Sequence, residues 1–203
     1  MAEPTSGHYF DADPAARSAP REVDLALPDL TLRLATDRGV FAGDAVDPGT
    51  KLLLLEAPAP DATQYTVLDL GCGYGTIAVT VARRAPHATV WAIDVNERAR
   101  ALCVENAGRA LVGDRVRVCA PDDVPRDTVF DVIYSNPPIR VGKEPLHEML
   151  VHWLGRLSPD GAAFLVVQKH LGADSLARWL SGEGWTVTRR VSRRAYRVLE
   201  VHR

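Results

Sequence analysis

Short apolar segments with strand character alternate with longer helical segments after Pro60, and this alternation limits the possible folds more than any other feature. Such alternation implies a mostly parallel sheet with helices on both faces. Two final strands lie too close in sequence for a crossover connection, so they predict an antiparallel pair at the sheet edge. The predicted strands are 66–70, 89–94, 115–119, 130–135, 162–167, 185–190 and 196–201, and the predicted helices are 76–84, 97–109, 143–157 and 174–180. The predicted fold is therefore α/β, a doubly wound seven-stranded sheet that ends in an antiparallel hairpin.

The first part of the chain follows a different pattern. Residues 1–22 are rich in Ala, Pro and charge and predict irregular structure, whereas the alternating residues of 23–41 predict a β-hairpin or a small meander. A short helix is predicted over 52–55, and Pro58 prevents it from continuing further. We therefore divide the chain into a leader with its hairpin, 1–45, and a main domain, 46–203.

Composition narrows the setting in which this fold works. The three cysteines form no CxxC pair and their number is odd, so neither a disulfide framework nor a metal site is predicted. The N-terminus lacks the pattern of a signal peptide, and no apolar run approaches the roughly 20 residues that span a membrane. These features predict a cytoplasmic protein. The net charge of −2 counts against an extended nucleic-acid surface but allows a local basic patch.

A glycine-rich loop follows the first strand of the alternating series, where open α/β sheets bind ligands. The loop has the loose form of a dinucleotide fingerprint, with Ala78 at its last position. An acidic residue just before the glycines would repel a pyrophosphate but suits the ammonium group of an amino-acid-bearing cofactor. The predicted cofactor-binding residues here are Asp69, Gly71, Cys72, Gly73 and Gly75.

Acidic residues also follow the next two strands. Asp94 can accept hydrogen bonds from both hydroxyls of a ribose, although it can instead cap the following helix, for which Asn96 is another candidate. Asp122, followed by Asp123, either accepts a hydrogen bond from an adenine amino group or forms a solvated turn.

The fourth strand ends in an Asn-Pro-Pro loop, which the two prolines make stiff. The Asn136 side-chain oxygen and the Pro137 carbonyl can accept the two hydrogens of a planar –NH2 group, which aims the nitrogen at an electrophile. We therefore predict that Asn136 and Pro137 are catalytic and that Asn136 also contacts the cofactor. The alternative is a rigid turn without chemistry.

Taken in order, the glycine loop, Asp94 and Asn136–Pro138 resemble the class I S-adenosylmethionine-dependent N-methyltransferases. Residues 39–41, 47–50 and 52–54 look more narrowly like the small-domain group, which includes the bacterial rRNA guanine-N2 methyltransferases, and 136–144 and 196–199 are similar to its single-domain members. The resemblance implies that the glycine loop holds the methionine part of S-adenosylmethionine and that Asp94 holds its ribose. It also implies that Asn136 and Pro137 grip a guanine N2 amine, in rRNA by preference.

One residue departs from the pattern of these relatives. Many have an aromatic residue after the two prolines, which stacks on the target base, whereas this chain has Ile139. A protein glutamine or a small-molecule amine therefore stays open as the substrate, as does a module that binds cofactor or RNA without turnover. An NAD oxidoreductase fits least well.

Basic residues lie near the predicted chemistry and in two other segments. Pro138, Ile139, Arg140 and Lys143 are the predicted substrate-binding residues, the last two as contacts to RNA phosphates. The last hairpin adds further arginines that either contact phosphates or line a solvated edge strand, namely Arg189, Arg190, Arg193, Arg194 and Arg197. The leader contributes His8, Tyr9, Arg17 and Arg21, which are candidates to cover RNA or cofactor.

Overall fold

Two β-sheets and five α-helices make up the protein in a computed structural model that describes residues 17–193 and 195–203. The small sheet is an antiparallel hairpin of β1 (Arg21–Ala26) and β2 (Thr31–Thr36). The large sheet has the strand order β5-β4-β3-β6-β7-β9-β8. Its strands are β3 (Thr66–Leu70), β4 (Thr89–Ile93), β5 (Val116–Cys119), β6 (Phe130–Ser135), β7 (Leu157–Gln168), β8 (Thr186–Arg193) and β9 (Tyr196–His202). The predicted fold class, including the closing antiparallel pair, is confirmed.

Helices cover both faces of the large sheet. On β3, Val67 packs into the core shared with α1, α2 and α3, whereas its neighbour Leu68 packs into the core shared with α4 and α5. Both residues are 0% exposed, as expected for a strand buried on both faces. The helices are α1 (Pro48–Glu56), α2 (Thr76–Arg84), α3 (Glu97–Arg109), α4 (Lys143–Leu154) and α5 (Ala173–Gly182). None of those in the described residues is long and apolar enough to cross a membrane.

The connections create a switch point beside the first strand of the parallel series. From β3 the chain builds outward through β4 to β5, then returns to place β6 on the other side of β3. Ligands of open α/β sheets bind at such a reversal, beyond the carboxyl ends of the strands. This edge therefore positions the candidate site.

The helix predicted over 143–157 is too long, and the segment 158–161, between it and the strand predicted over 162–167, is not a separate turn. Helix α4 already ends at Leu154, and the segment lies inside β7. Phe130 pairs with Leu157 and Val132 with Ala162, so four residues of β7 bulge opposite one residue of β6. The Ser-Pro-Asp-Gly segment is thus an irregularity within one strand, because the residues of β7 before and after it both pair with β6.

One buried side chain hydrogen-bonds the N-terminal hairpin to the rest of the protein, in addition to the apolar packing of the hairpin on the helices. Asn106, on α3, accepts a hydrogen bond from Ala35 N at 2.7 Å and donates to Ala35 O at 2.8 Å. Its amide nitrogen also donates to Tyr74 O in the glycine loop at 2.8 Å. Asn106 therefore links the hairpin to both α3 and the loop.

Candidate active site

A cavity of about 700 Å³ opens along the carboxyl ends of the parallel strands. Small-molecule sites typically measure about 300–1,000 Å³. The residues that line it at the strand ends form a row, because they follow, end or begin successive strands of the sheet. In spatial order these are Asp122 after β5, Asp94 after β4, Gly71 and Gly73 after β3, Asn136 after β6, Gln168 ending β7 and Tyr196 beginning β9.

The glycines of the loop after β3 have two different surroundings. Gly71 and Gly73 line the cavity with φ angles of +77° and +53°, and a Cβ built on either would meet no atom within 4 Å. Gly75 instead faces α3, where a Cβ would lie 2.7 Å from the Cys103 Sγ. Cys72 is buried and lines a smaller adjoining cavity of about 30 Å³. Only the first two predicted glycines therefore leave room for a ligand.

Asp69 lies beneath this loop and does not line the cavity. It is 0% exposed, and its Oδ2 accepts a hydrogen bond from Ala78 N at 2.9 Å. Its Oδ1 has no hydrogen-bond partner among the described residues. Burial, together with the nearby negative charge of Asp94, raises the pKa of Asp69 to about 8. The site thus holds a carboxyl group with one oxygen unsatisfied.

Asp94 ties the end of β4 to the glycine loop. Its Oδ2 accepts a hydrogen bond from Gly73 N at 2.8 Å, and its Oδ1 accepts one from Asn96 N at 2.9 Å. Burial raises the pKa of Asp94. The cap of α3 is Asn96, whose Oδ1 accepts from Ala99 N at 3.0 Å. Asp122 lies in a short 3-10 turn, Pro121–Asp123, at the far end of the row.

The side chain of Asn136 is held in one orientation by α1. Its Nδ2 donates to the Asp47 Oδ2 and to the Thr50 Oγ1, each at 2.9 Å. Both amide hydrogens are thereby used, and the Oδ1 accepts no hydrogen bond from the described part of the chain. Asn136 and Gly73 line both cavities, so the amide lies beside the open part of the glycine loop.

The residues after Asn136 form the adjoining wall. Pro137 is buried, and its carbonyl accepts a hydrogen bond from Ile139 N at 2.8 Å, which leaves its second lone pair available. Pro138, Ile139 and Arg140 line the cavity. Lys143 is exposed at the first residue of α4 and does not line it.

Sequence reasoning missed the side chains that complete the site. The residues Asp47-Pro48-Gly49-Thr50 indicate a helix start, and Asp47 does accept a hydrogen bond from Thr50 N at 2.8 Å. Nothing in that pattern shows that the same carboxylate contacts Asn136. Tyr196 also lines the cavity, with its ring so close to Gly49 that a Cβ there would lie 2.6 Å from the Tyr196 Cε1. Phe41 and Gln168 are two further lining residues that no local signal indicated.

The arginines of the last hairpin are largely engaged by acidic side chains. Arg189 lies 3.1 Å from Asp174, and Arg197 pairs with the same carboxylate. Arg193 lies 2.9 Å from Glu56, and Arg190 lies 3.0 Å from Glu200. In contrast, Arg140 and Lys143 form no ion pair with any described residue.

The other basic and aromatic residues that were predicted as candidates do not line the cavity or lie outside the described residues. Arg194, His8 and Tyr9 lie outside the described residues. Arg17 is exposed, and Arg21 pairs with Asp44. Within residues 17–193 and 195–203, no group of three or more His, Cys, Asp or Glu side chains is placed to hold a metal ion.

Known proteins share this sequence pattern and this fold. Residues 31–200 match the model of a family described as methyltransferase small domain. An uncharacterized protein from Bacillus subtilis, YbxB, is 34% identical over 84% of this chain and 85% of its own length. Ribosomal RNA large subunit methyltransferase G from Photobacterium profundum is 29% identical over 82% of this chain, which spans only 46% of that protein.

A solved structure has the same architecture. The 16S rRNA N2 G1207 methyltransferase of T. thermophilus, in complex with AdoMet and guanosine, superposes with a TM-score of 0.75. The match covers 94% of this chain and 52% of that protein, at 23% sequence identity. At this identity the likeness establishes the shared fold.

Proposed function

This chain belongs to the methyltransferase small-domain family, and we propose that it transfers a methyl group from S-adenosylmethionine to the exocyclic N2 of a guanine in ribosomal RNA. That it is an S-adenosylmethionine-dependent methyltransferase follows from the family. The geometry of Asn136 supports a planar –NH2 group as the target, and the choice of guanine N2 in rRNA rests on the names of longer relatives. The chain spans about half the length of those relatives, so their substrates enter only as support for the proposal.

The residues present fit S-adenosylmethionine at the glycine loop. Gly71 and Gly73 leave open space where a side chain would stand, and the unsatisfied Oδ1 of Asp69 lies beneath them. We propose that Asp69 acts on the ammonium group of the cofactor, that Asp94 accepts from its ribose, and that Asp122 accepts from its adenine. When bound, the cofactor supplies a methyl group on a positively charged sulfur, which leaves as a neutral thioether.

Two of the predicted cofactor-binding residues, Gly75 and Cys72, shape the glycine loop in this proposal and do not contact the cofactor. Gly75 and Cys72 pack against α3 and the smaller cavity, so they shape the loop while Gly71 and Gly73 approach the ligand. The large cavity is long enough for two molecules because its polar lining spans six adjacent strands, which are spaced about 4.8 Å apart.

Asn136 would orient and polarise the target amine. Because its Nδ2 is bound by Asp47 and Thr50, only the Oδ1 is available to accept one amine hydrogen, and the Pro137 carbonyl can accept the other. The amine lone pair then lies out of the plane that the two acceptors define, toward the glycine loop. As nitrogen forms its new bond to carbon, positive charge develops on it, and the Asp47 carboxylate behind Asn136 favours that charge. The methylated nitrogen becomes neutral again when it releases one of its two hydrogens as a proton to water.

The cavity also provides aromatic surface for a base. Ile139 offers an apolar contact without a π-face, but the rings of Tyr196 and Phe41 line the same cavity. The departure at Ile139 therefore does not remove stacking from the site. Arg140 and Lys143, which have no acidic partner in the described chain, are the side chains we propose for RNA phosphates.

Replacing Asn136 tests the proposal. We expect Asn136→Ala to retain S-adenosylmethionine binding by calorimetry but to lower methyl transfer by about 10²–10³-fold, as removal of one oriented polar group does in other active sites. The assay is transfer of tritiated methyl into extracts of cells that lack the protein, with RNA and protein fractions counted separately.

The control is Lys51→Ala, an exposed residue of α1, which should keep full activity. Label in the protein fraction alone would contradict an RNA substrate, and full activity of Asn136→Ala would contradict the catalytic assignment. Binding of NADH in place of S-adenosylmethionine would contradict the place given to the cofactor.

A further inference from the structure

Gln168 presents an unused amide to the cavity. It is the last residue of β7, it is partly exposed, and its side chain forms no hydrogen bond with any residue in the described ranges. A partly buried amide usually hydrogen-bonds to protein or water, so this one is available to a ligand. No part of the mechanism above uses it.

Gln168 lies next to the position proposed for the target amine. Strands β6 and β7 are neighbours, and Ser135 pairs with Leu165, so Gln168 extends two residues beyond the level of Asn136 on the adjacent strand. Neighbouring strands are about 4.8 Å apart, and two residues add about 6.6 Å along the strand. This offset suits two side chains that contact different groups on one edge of a single purine.

The chemistry of that edge matches the two amides. Guanine presents its N2 amine, its N1–H donor and its O6 acceptor in a row. With the amine held by Asn136 and Pro137, the next two groups are one donor and one acceptor, side by side. A glutamine amide offers one acceptor and two donors in a plane, and it can satisfy both at once.

We propose that Gln168 determines base specificity: its Oε1 accepts from guanine N1–H while its Nε2 donates to O6. The inference rests on the proposed guanine-N2 function and names the recognition element of the same site. Tyr196 pairs directly with Gln168 across β7 and β9, so its ring lies beside the amide as a surface against which the base can lie.

Three nucleosides separate this inference from the function on which it rests. Guanosine has all three groups, inosine lacks only the N2 amine, and 2-aminopurine riboside keeps that amine but lacks N1–H and O6. Binding is measured in the presence of S-adenosylhomocysteine, from the fluorescence of 2-aminopurine riboside and its displacement by the other two nucleosides. The variants are Gln168→Leu, Gln168→Glu and the control His170→Leu, an exposed neighbour that does not line the cavity.

We expect the wild-type protein and His170→Leu to prefer guanosine over 2-aminopurine riboside by about tenfold or more, because two hydrogen bonds depend on the edge that differs. In Gln168→Leu the preference should fall to about threefold or less. Gln168→Glu should weaken guanosine binding, since a carboxylate can accept from N1–H but repels O6. Thermal denaturation of each variant shows whether it remains folded.

An unchanged preference in folded Gln168→Leu would overturn the inference while leaving the proposed function intact. The inference would also be overturned if wild-type protein bound neither guanosine nor 2-aminopurine riboside at millimolar concentration, or if it bound a glutamine peptide instead. Equal binding of guanosine and inosine would count against the grip of Asn136 and Pro137 on the amine, and so against the proposed function. Asn136→Ala, tested in parallel, should reduce the difference between guanosine and inosine, because only Pro137 still accepts from the amine, but not that between guanosine and 2-aminopurine riboside.

Discussion

Asp69 shows how one buried side chain can couple ligand binding to protonation. Its Oδ2 is satisfied by Ala78 N, but its Oδ1 is not satisfied by any described residue. Burial and the charge of Asp94 raise its pKa to about 8, against a value near 4 in an unfolded chain. Between pH 4 and pH 8, roughly, Asp69 is therefore protonated in the folded protein without ligand but ionised in the unfolded chain.

The sign of the resulting pH dependence follows from linkage. Because the folded pKa is the higher one, stability should fall as pH rises from about 4 to about 8. Asp69→Asn cannot ionise, so we expect ligand-free Asp69→Asn to be more stable than the wild-type protein by at least about 1 kcal/mol at pH 8.5, with a smaller difference at pH 5. Urea denaturation at several pH values measures this.

The same residue gives an independent ligand signature. If the ionised carboxylate acts on the cofactor ammonium, wild-type affinity for S-adenosylmethionine should increase from pH 6 to pH 8, and Asp69→Asn should bind weakly at every pH. The control is Asp160→Asn, in the exposed bulge of β7. If the stability of wild-type protein and of Asp69→Asn changed with pH in the same way, the raised pKa of Asp69 would be refuted.

The glycine loop has two sides, one of which faces the cavity while the other packs against α3. Gly71 faces the cavity, whereas Gly75 is the N-cap residue of α2 and faces α3. Both have positive φ angles, so alanine at either position costs about 1–2 kcal/mol in backbone strain. Only at Gly75 would the new Cβ also meet protein, at 2.7 Å from the Cys103 Sγ.

Alanine substitutions should separate these two contacts. We expect Gly75→Ala to lower the free energy of unfolding by about 2–4 kcal/mol, because overpacking adds to the strain. Gly71→Ala should cost only the strain, yet it should weaken S-adenosylmethionine binding by about tenfold or more because its Cβ points into the ligand space. Urea denaturation and calorimetry on both variants measure the contrast. The opposite ranking in stability would show that the loop is packed differently.

The hairpin of β1 and β2 and helix α1 matter to the site through contacts between distant parts of the chain. Asn106 binds Ala35 and Tyr74, and Asp47 at the start of α1 binds Asn136. The short helix predicted over 52–55 begins earlier, at Pro48, because Asp47 caps it. The same carboxylate that caps the helix therefore orients the amide on β6.

The protein as a whole has a net charge of −2, but its basic residues fall into two groups. Some form ion pairs with acidic side chains, and others in the described ranges do not. Arg189, Arg190, Arg193 and Arg197 each have an acidic partner, which supports a structural explanation for the arginines of the last hairpin. Arg140 lines the cavity without such a partner among the described residues. We therefore propose that Arg140, rather than the hairpin arginines, contacts RNA phosphates.

Salt dependence tests that assignment. We expect Arg140→Gln to weaken binding of transcribed 16S or 23S rRNA and to lower the slope of log affinity against log salt by about 0.7, as loss of one contact to single-stranded RNA does. The matched control is Arg189→Gln, which removes an arginine engaged by Asp174 and should leave the slope unchanged. Filter binding from low to high salt gives both slopes. A larger loss in Arg189→Gln would move the RNA surface to the hairpin.

Elements with local signals could be predicted from the amino acids within and beside them. The bounds predicted for 66–70, 76–84, 97–109 and 130–135 are those observed, because apolar runs, loop glycines and the Asn96 cap lie within or beside each element. Strand alternation and the short final connection were enough for the sheet class and its antiparallel end. Asp94, Asp122 and Asn136 could be placed on one sheet edge because each follows a predicted parallel strand.

The contacts of these residues could not be predicted, because they join segments that are distant in sequence. Asn136 meets Asp47 across 89 residues of sequence, and Gln168 and Tyr196 reach the same cavity through strand pairing rather than through a motif. The pairing of the hairpin arginines with acids from other elements is equally non-local. Hydrogen bonds and ion pairs between distant segments depend on how the elements pack, and no periodicity or cap signal within a segment contains that information.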